Sequence, residues 1–177
     1  MRRLFLPLIV VLFVAPAPAG EDNAAQRQKA QKSTQDGNWK DAYALFQKLC
    51  LDPKDDPAQV GDDLRQALSC LQNLNRVNEI DDLREKVIAT HEKNWRLLQA
   101  AAHTCLDFQQ GGFIVAGTFE RGQHRGGGQW ADAYERDRVR SLQLMDQARP
   151  LLKAEKDPSA AAQFHLDLAN MLLNSRY

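Results

Sequence analysis

The run Gly37-Asn38-Trp39-Lys40-Asp41-Ala42-Tyr43-Ala44-Leu45-Phe46 constrains this chain most, because related segments recur downstream. The first closes at Asp52-Pro53. A second surrounds Ile80, reading Asn75-Arg76-Val77-Asn78-Glu79-Ile80 and closing near His91. A third surrounds Ser141, reading Arg138-Val139-Arg140-Ser141-Leu142 and closing at Asp157-Pro158. Helical segments repeated at intervals of tens of residues indicate stacked helix-turn-helix units, because one such unit cannot bury its apolar face alone. The expected class is therefore all-α, an α-α superhelix of helical hairpins of the kind that offers surfaces to partners rather than catalytic groups.

The apolar spacing supports this segment by segment. Residues 21–35 carry only a weak stripe, and Gly37 ends that helix by tolerating a positive φ. Trp39, Ala42, Tyr43, Phe46, Leu49 and Cys50 recur at the three- and four-residue intervals of an amphipathic helix. Val60, Leu64, Ala67, Leu68 and Leu71 make the next stripe, and Ile80, Leu83, Val87 and Ile88 the one after. Trp95, Leu98 and Ala102 open a fifth helix. A long helix over 130–156 carries Ser141, Leu144, Met145, Ala148 and Leu152. Pro150 should kink it or end it near Arg149, since a proline removes a helical hydrogen bond. Phe164, Leu168, Met171 and Leu172 mark a last helix over 160–174. Its partner helix is missing, which leaves an apolar face uncovered.

The period breaks once. Ala42 and Ile80 are 38 positions apart, whereas Ile80 and Ser141 are 61 apart. The excess coincides with 109–129, where seven glycines rule out a continuous helix. Phe113-Ile114-Val115-Ala116-Gly117-Thr118-Phe119 reads there as one short strand, able to form half of a β-hairpin with 126–130.

The N-terminus reads as an address. Arg2 and Arg3 precede an apolar run from Leu4 to Val14, and Ala17-Pro18-Ala19 supplies a small-x-small cleavage site. A membrane anchor is the alternative, but the run falls short of the roughly 20 residues that span a bilayer. Residues 1–19 are thus assigned to an export leader, and 20–177 to a helical repeat domain in the periplasm or outside the cell. Losing the leader removes two of 23 basic residues and none of 23 acidic ones, which leaves a slight negative charge. That balance does not suggest nucleic acid or a membrane surface as partner. The three cysteines allow either a Cys50–Cys70 bridge with Cys105 free, or three buried small hydrophobes.

The insertion is the one candidate for a specific site. Its glycines lack the Gly-Lys-Ser/Thr of a phosphate loop. Arg121, His124 and Arg125 are its charged groups and could meet an anion or a partner carboxylate. Phe113, Phe119 and Trp130 could anchor it on the helices. The alternative is a loop that packs over the helices and is polar only at its tip. No metal site is expected, because His91, His103, His124 and His165 are scattered and paired-ligand spacing is missing. No cofactor is expected, and no Gly-x-Ser-x-Gly pattern points to an enzyme. The run Glu135-Arg136-Asp137-Arg138 with Arg140 reads as a solvated helix face.

Gly37-Asn38-Trp39-x-x-Ala42-x-x-x-Phe46 followed by Asp52-Pro53 resembles the second half of a tetratricopeptide repeat. Trp95-x-x-Leu98 resembles the start of that repeat's first helix. The pattern departs at Gln99, where the family prefers Gly, and at Ile80 and Ser141, which replace a small Ala. A second resemblance spans most of the chain beyond the leader: Asn94-Trp95-Arg96-Leu97-Leu98, then Gly112-Phe113-Ile114-Val115-Ala116-Gly117-x-Phe119-x-Arg121-Gly122-x-His124-Arg125-Gly126-Gly127-Gly128, then Tyr134-Glu135-Arg136-Asp137-Arg138-Val139-Arg140. This series is similar to the N-terminal helical region of large exported bacterial proteins of the alpha-2-macroglobulin family. It implies the non-enzymatic leading piece of a protease inhibitor, with a protein partner and a truncated C-terminus. A stand-alone periplasmic tetratricopeptide-like adaptor protein is the alternative. The thioester motif Cys-x-Glu-Gln of that family is absent from all three cysteine contexts.

Overall fold

The computed structural model describes residues 19–173. The segment 1–19, expected to be an export leader, therefore lies outside the described residues except for Ala19. Seven α-helices follow one another: α1 (Ala19–Gln35), α2 (Trp39–Cys50), α3 (Val60–Asn73), α4 (Ile80–Thr90), α5 (Trp95–Asp107), α6 (Tyr134–Ala148) and α7 (Pro158–Leu173). Between α5 and α6 stand three short strands, β1 (Gly111–Val115), β2 (Thr118–Arg121) and β3 (Gln129–Asp132). Among the described residues the fold is mostly helical, at 68%, and the insertion expected to hold a short β-hairpin forms a small three-stranded antiparallel sheet.

Local chemistry sets the helix limits. Gly37 takes φ 75° after α1, the left-handed geometry that ends helices, and Asn38 N–H reaches back to Ser33 O at 2.8 Å. Asn94 caps α5 by accepting from the backbone N–H groups of Arg96 and Leu97 at 3.1 and 3.2 Å. The chain tightens into a 3-10 turn over Arg149–Ala154, so α6 ends at Ala148, one residue before the boundary expected from Pro150. A 3-10 turn over Val77–Glu79 also precedes α4.

Consecutive helices pack: α1 on α2, α2 on α3, α5 on α6 and α6 on α7, with α3 also against α5. The expected stripes supply the core, and Phe46, Leu64, Leu68, Ile80, Leu98 and Leu144 are all buried. Each such side chain contributes about 1.5–3 kcal/mol. Helices α3 and α5 approach so closely that a Cβ on Gly61 would lie 2.8 Å from that of Ala100. Phe164 of α7 is fully buried and meets Trp95 edge-on at 6.0 Å, whereas Leu166, Leu172 and Leu173 are exposed. Trp39 is only partly buried at the edge of the core. Cys50, Cys70 and Cys105 are unpaired and buried, so they act as small core residues and no Cys50–Cys70 bridge forms. No described helix is long and apolar enough to cross a membrane.

The insertion differs from expectation at both ends. What reads as one strand over 113–119 is two, folded back at Ala116-Gly117. Both turn residues have positive φ (49° and 83°), the condition for a two-residue hairpin turn whose twist matches its strands. Trp130 belongs to β3 rather than to a helix, and α6 starts at Tyr134.

Candidate partner-binding site

The sheet has strand order β2-β1-β3 with β1 central. Its register sets Phe113 opposite both Glu120 of β2 and Trp130 of β3, and Gly112 opposite Arg121 and Ala131. Directly opposed residues share a face, because side chains alternate along each strand. Arg121, Phe119, Gly112 and Ala131 thus occupy the face turned to the helices. Phe113, Glu120 and Trp130 occupy the outer one.

Arg121 was expected to meet a partner, and the structure places it elsewhere. It is 2% exposed and nails the sheet to two helices. Its Nη2 donates to Asp81 of α4 at 2.9 and 3.1 Å and to Asp137 of α6 at 3.0 Å, and its Nη1 donates to the backbone carbonyl of Gln109. Nη1 also lies 2.8 Å from Asp137 Oδ2, a charge contact that leaves this oxygen without a hydrogen bond. Arg136 joins from α6 with 2.8 Å bonds to both carboxylates, and Arg84 reaches Asp81 at 3.1 Å and the Cys105 sulfur at 3.2 Å. Phe119 completes the seam beneath the Arg136 guanidinium, 4.3 Å from its ring centre.

Three guanidiniums therefore surround two carboxylates. Burial pushes the Asp81 carboxyl up, but the charges of Arg121 and Arg84 and the hydrogen bonds from Arg121 and Arg136 outweigh it. They hold Asp81 below the usual aspartate value. The Cys105 thiol is pushed up by burial, which Arg84 opposes only in part.

The outer face is built differently. His124 Nδ1 lies 3.0 Å from Glu120, and its ring tilts over Phe113 at 6.3 Å, so the 122–128 loop crosses the sheet and half-buries Phe113. Arg125 is exposed at the loop tip. Trp130 is 62% exposed, so it does not anchor the insertion on the helices, contrary to the expectation from sequence. Of the six candidates, Phe113, His124 and Trp130 gather on the outer face, Phe119 and Arg121 lie beneath, and Arg125 stands at the rim.

The solvated-face reading of the 135–140 run also needs correction, since Asp137 is buried. Its signal was in the sequence. Asp137, Ser141, Leu144 and Ala148 share one helical phase, as do Ile80, Arg84 and Val87. A charge in phase with an apolar stripe marks a buried ion pair, because burial of an unpaired charge is too costly.

Two open clefts accompany the site. One of about 610 Å³ runs between α4 and α6, but its Arg140 is already bonded to Glu85 through Nε at 2.9 Å. Another of about 710 Å³ is lined by Pro57, His91, Lys93 and Trp95 at the α4–α5 junction. Neither lining includes a serine or cysteine. The Cys50 thiol, buried between helices, is pushed up to about 12 by burial. Among the described residues no group of three His, Cys, Asp or Glu side chains is arranged to hold a metal ion. No family model, no curated protein sequence and no solved structure matches the chain.

Proposed function

We propose that this chain is a non-enzymatic protein-interaction module that recognises its partner with the outer face of the inserted sheet. The carrying observation is Trp130, a large apolar side chain 62% exposed on a strand whose sheet is held by buried ion pairs. Tryptophan is enriched among residues that dominate binding energy, and a fixed platform loses little entropy when a partner docks. The helices are read as hairpins of a tetratricopeptide-like α-α superhelix that carries this platform, supported by the packing of α2 on α1 and α3 and of α3 on α5. By its resemblance to the macroglobulin family, the module would be the leading part of an exported protease inhibitor.

A photo-crosslinking residue at position 130, compared with one at the exposed Lys40, tests the platform. A discrete protein adduct from position 130 that is absent from position 40 is expected in cells of the source organism. Equal adducts at both positions, or none at 130, would overturn the reading. Sequencing the gene past the Tyr177 codon tests the inhibitor assignment: an open frame encoding β-rich domains supports it, and a stop codon refutes it.

A further inference from the structure

The backbone of β3 says what kind of partner the sheet can take. In an antiparallel ladder, residues alternate between pairs that exchange both backbone bonds and pairs that exchange none. Ala133 N–H donates to Gln110 O at 2.8 Å, which makes Gln110 and Ala133 a bonded pair. Alternation from there makes Gly112–Ala131 and Ile114–Gln129 the bonded pairs of the β1–β3 ladder. Trp130, opposite Phe113, falls in a non-bonded pair. Its N–H and C=O therefore point away from β1, along the plane of the sheet.

The two edges of the sheet are unlike. On the β2 side the Val77–Glu79 turn packs against the strand, and a Cβ on Gly122 would lie 2.2 Å from Val77 Cγ2. That edge is closed. On the β3 side Gln129 and Trp130 are exposed, and the three glycines preceding them, Gly126 to Gly128, are exposed as well. An open edge with outward backbone groups is a template for another strand. Native edges are commonly guarded by Lys or Pro, and β3 (Gln-Trp-Ala-Asp) contains neither.

We infer that β3 accepts an extended peptide segment of a partner protein as a fourth strand, with an apolar side chain of that segment opposite Trp130. The inference rests on the sheet being the recognition surface. A helix could cover the indole, but it has no backbone groups to offer the outward N–H and C=O of Trp130; an extended strand satisfies both and packs a side chain on the indole. Outward side chains of the added strand then extend the Phe113–Trp130 row by one member. Directly opposed aromatic and aliphatic residues stabilise such rows.

The test uses linear heptapeptides selected from a random phage-displayed library on the intact chain. Two readouts separate the inference from the reading beneath it. The first is affinity for Trp130→Ala, expected to fall at least tenfold. The second is hydrogen exchange of the Trp130 amide, expected to slow at least tenfold on peptide binding, while the Ala131 amide, already bonded to β1, changes little. Selected sequences should alternate apolar and polar residues. Loss of binding in Trp130→Ala with no slowing at the Trp130 amide overturns strand addition and leaves the platform standing. Binding indifferent to Trp130→Ala, or no selectable binder, overturns both. A Trp130 amide already protected in a dimer of the free chain assigns the edge to a second copy and overturns the partner segment.

Discussion

Two buried clusters of arginine and aspartate hold this molecule together, and they are charged in opposite senses. At the N-terminal end, Arg27 of α1 binds Asp55 and Asp63 at 2.7 Å each, and Asn23 adds bonds to Asp52 and Asp55. One cation there serves two deeply buried carboxylates. Beneath the sheet, Arg84, Arg121 and Arg136 serve Asp81 and Asp137. Burial raises the Asp63 carboxyl, with the neighbouring charge of Asp55 adding to the effect, and Arg27 opposes it without prevailing. Around Asp81 the excess of cations prevails and the carboxyl is lowered. Burial alone thus does not decide the direction of a shift; the local ratio of charges does. The first cluster also fastens α1, a polar helix that brings little apolar surface of its own, and the second fastens the sheet.

The largest expected effect is from Arg121→Ala. Breaking a buried pair leaves charges uncompensated and costs about 3–5 kcal/mol. Here the cost should fall first on the sheet, so amides of 111–121 and 129–132 lose hydrogen-exchange protection while α2, α3 and α5 keep theirs. Uniform loss across both regions would show the sheet to be part of one cooperative core. Arg27→Ala should cost somewhat less, about 3 kcal/mol, because its side chain is 13% exposed and its removal opens the two buried carboxylates to water. Urea denaturation measures this, and a change below about 1 kcal/mol would make the N-terminal cluster equivalent to a surface ion pair.

Acidity separates the clusters further. Asp81, with its lowered carboxyl, contributes stability that is full above the unfolded value of 3.8 and is lost as pH falls below it. For Asp63 the sign is reversed. Its raised carboxyl keeps a proton in the folded state longer than in the unfolded chain, so stability declines as pH rises from 3.8 through the folded value. Asp63→Asn should remove the decline just above pH 3.8, and Asp81→Asn should flatten the fall below it; denaturation midpoints across pH 2–7 check both. Exchanged outcomes would reverse the charge-ratio argument. The smallest effect belongs to Trp130→Ala, which should change stability by no more than about 0.5 kcal/mol as a surface substitution. A larger loss would mean that Trp130 supports the sheet instead of serving a partner.

The helices were legible because their signal is local. Phe46, Leu64, Ile80 and Leu144 fall on stripes that a 3.6-residue period reveals, and Gly37 and Pro150 end segments through their own backbone limits. The hairpin turn was legible only in part. Ala116 sits there with φ 49°, and alanine gives no warning of that geometry, whereas Gly117 beside it does. The site itself misled. Arg121 looked like a charged group of the insertion able to meet a partner carboxylate, and Trp130 like the start of a helix that anchors the insertion.

Where the helices run, where their period breaks and why glycines forbid a helix there can all be read along the chain, since each depends on neighbours within a few residues. That Arg121 faces inward and Trp130 outward follows from long-range packing. The partners of Arg121 lie 40 and 16 positions away, on α4 and α6, and the side each strand residue takes follows from pairing with β1. Burial of a charge is affordable only where folded elements bring its counter-charges together, and a linear pattern carries no record of that meeting.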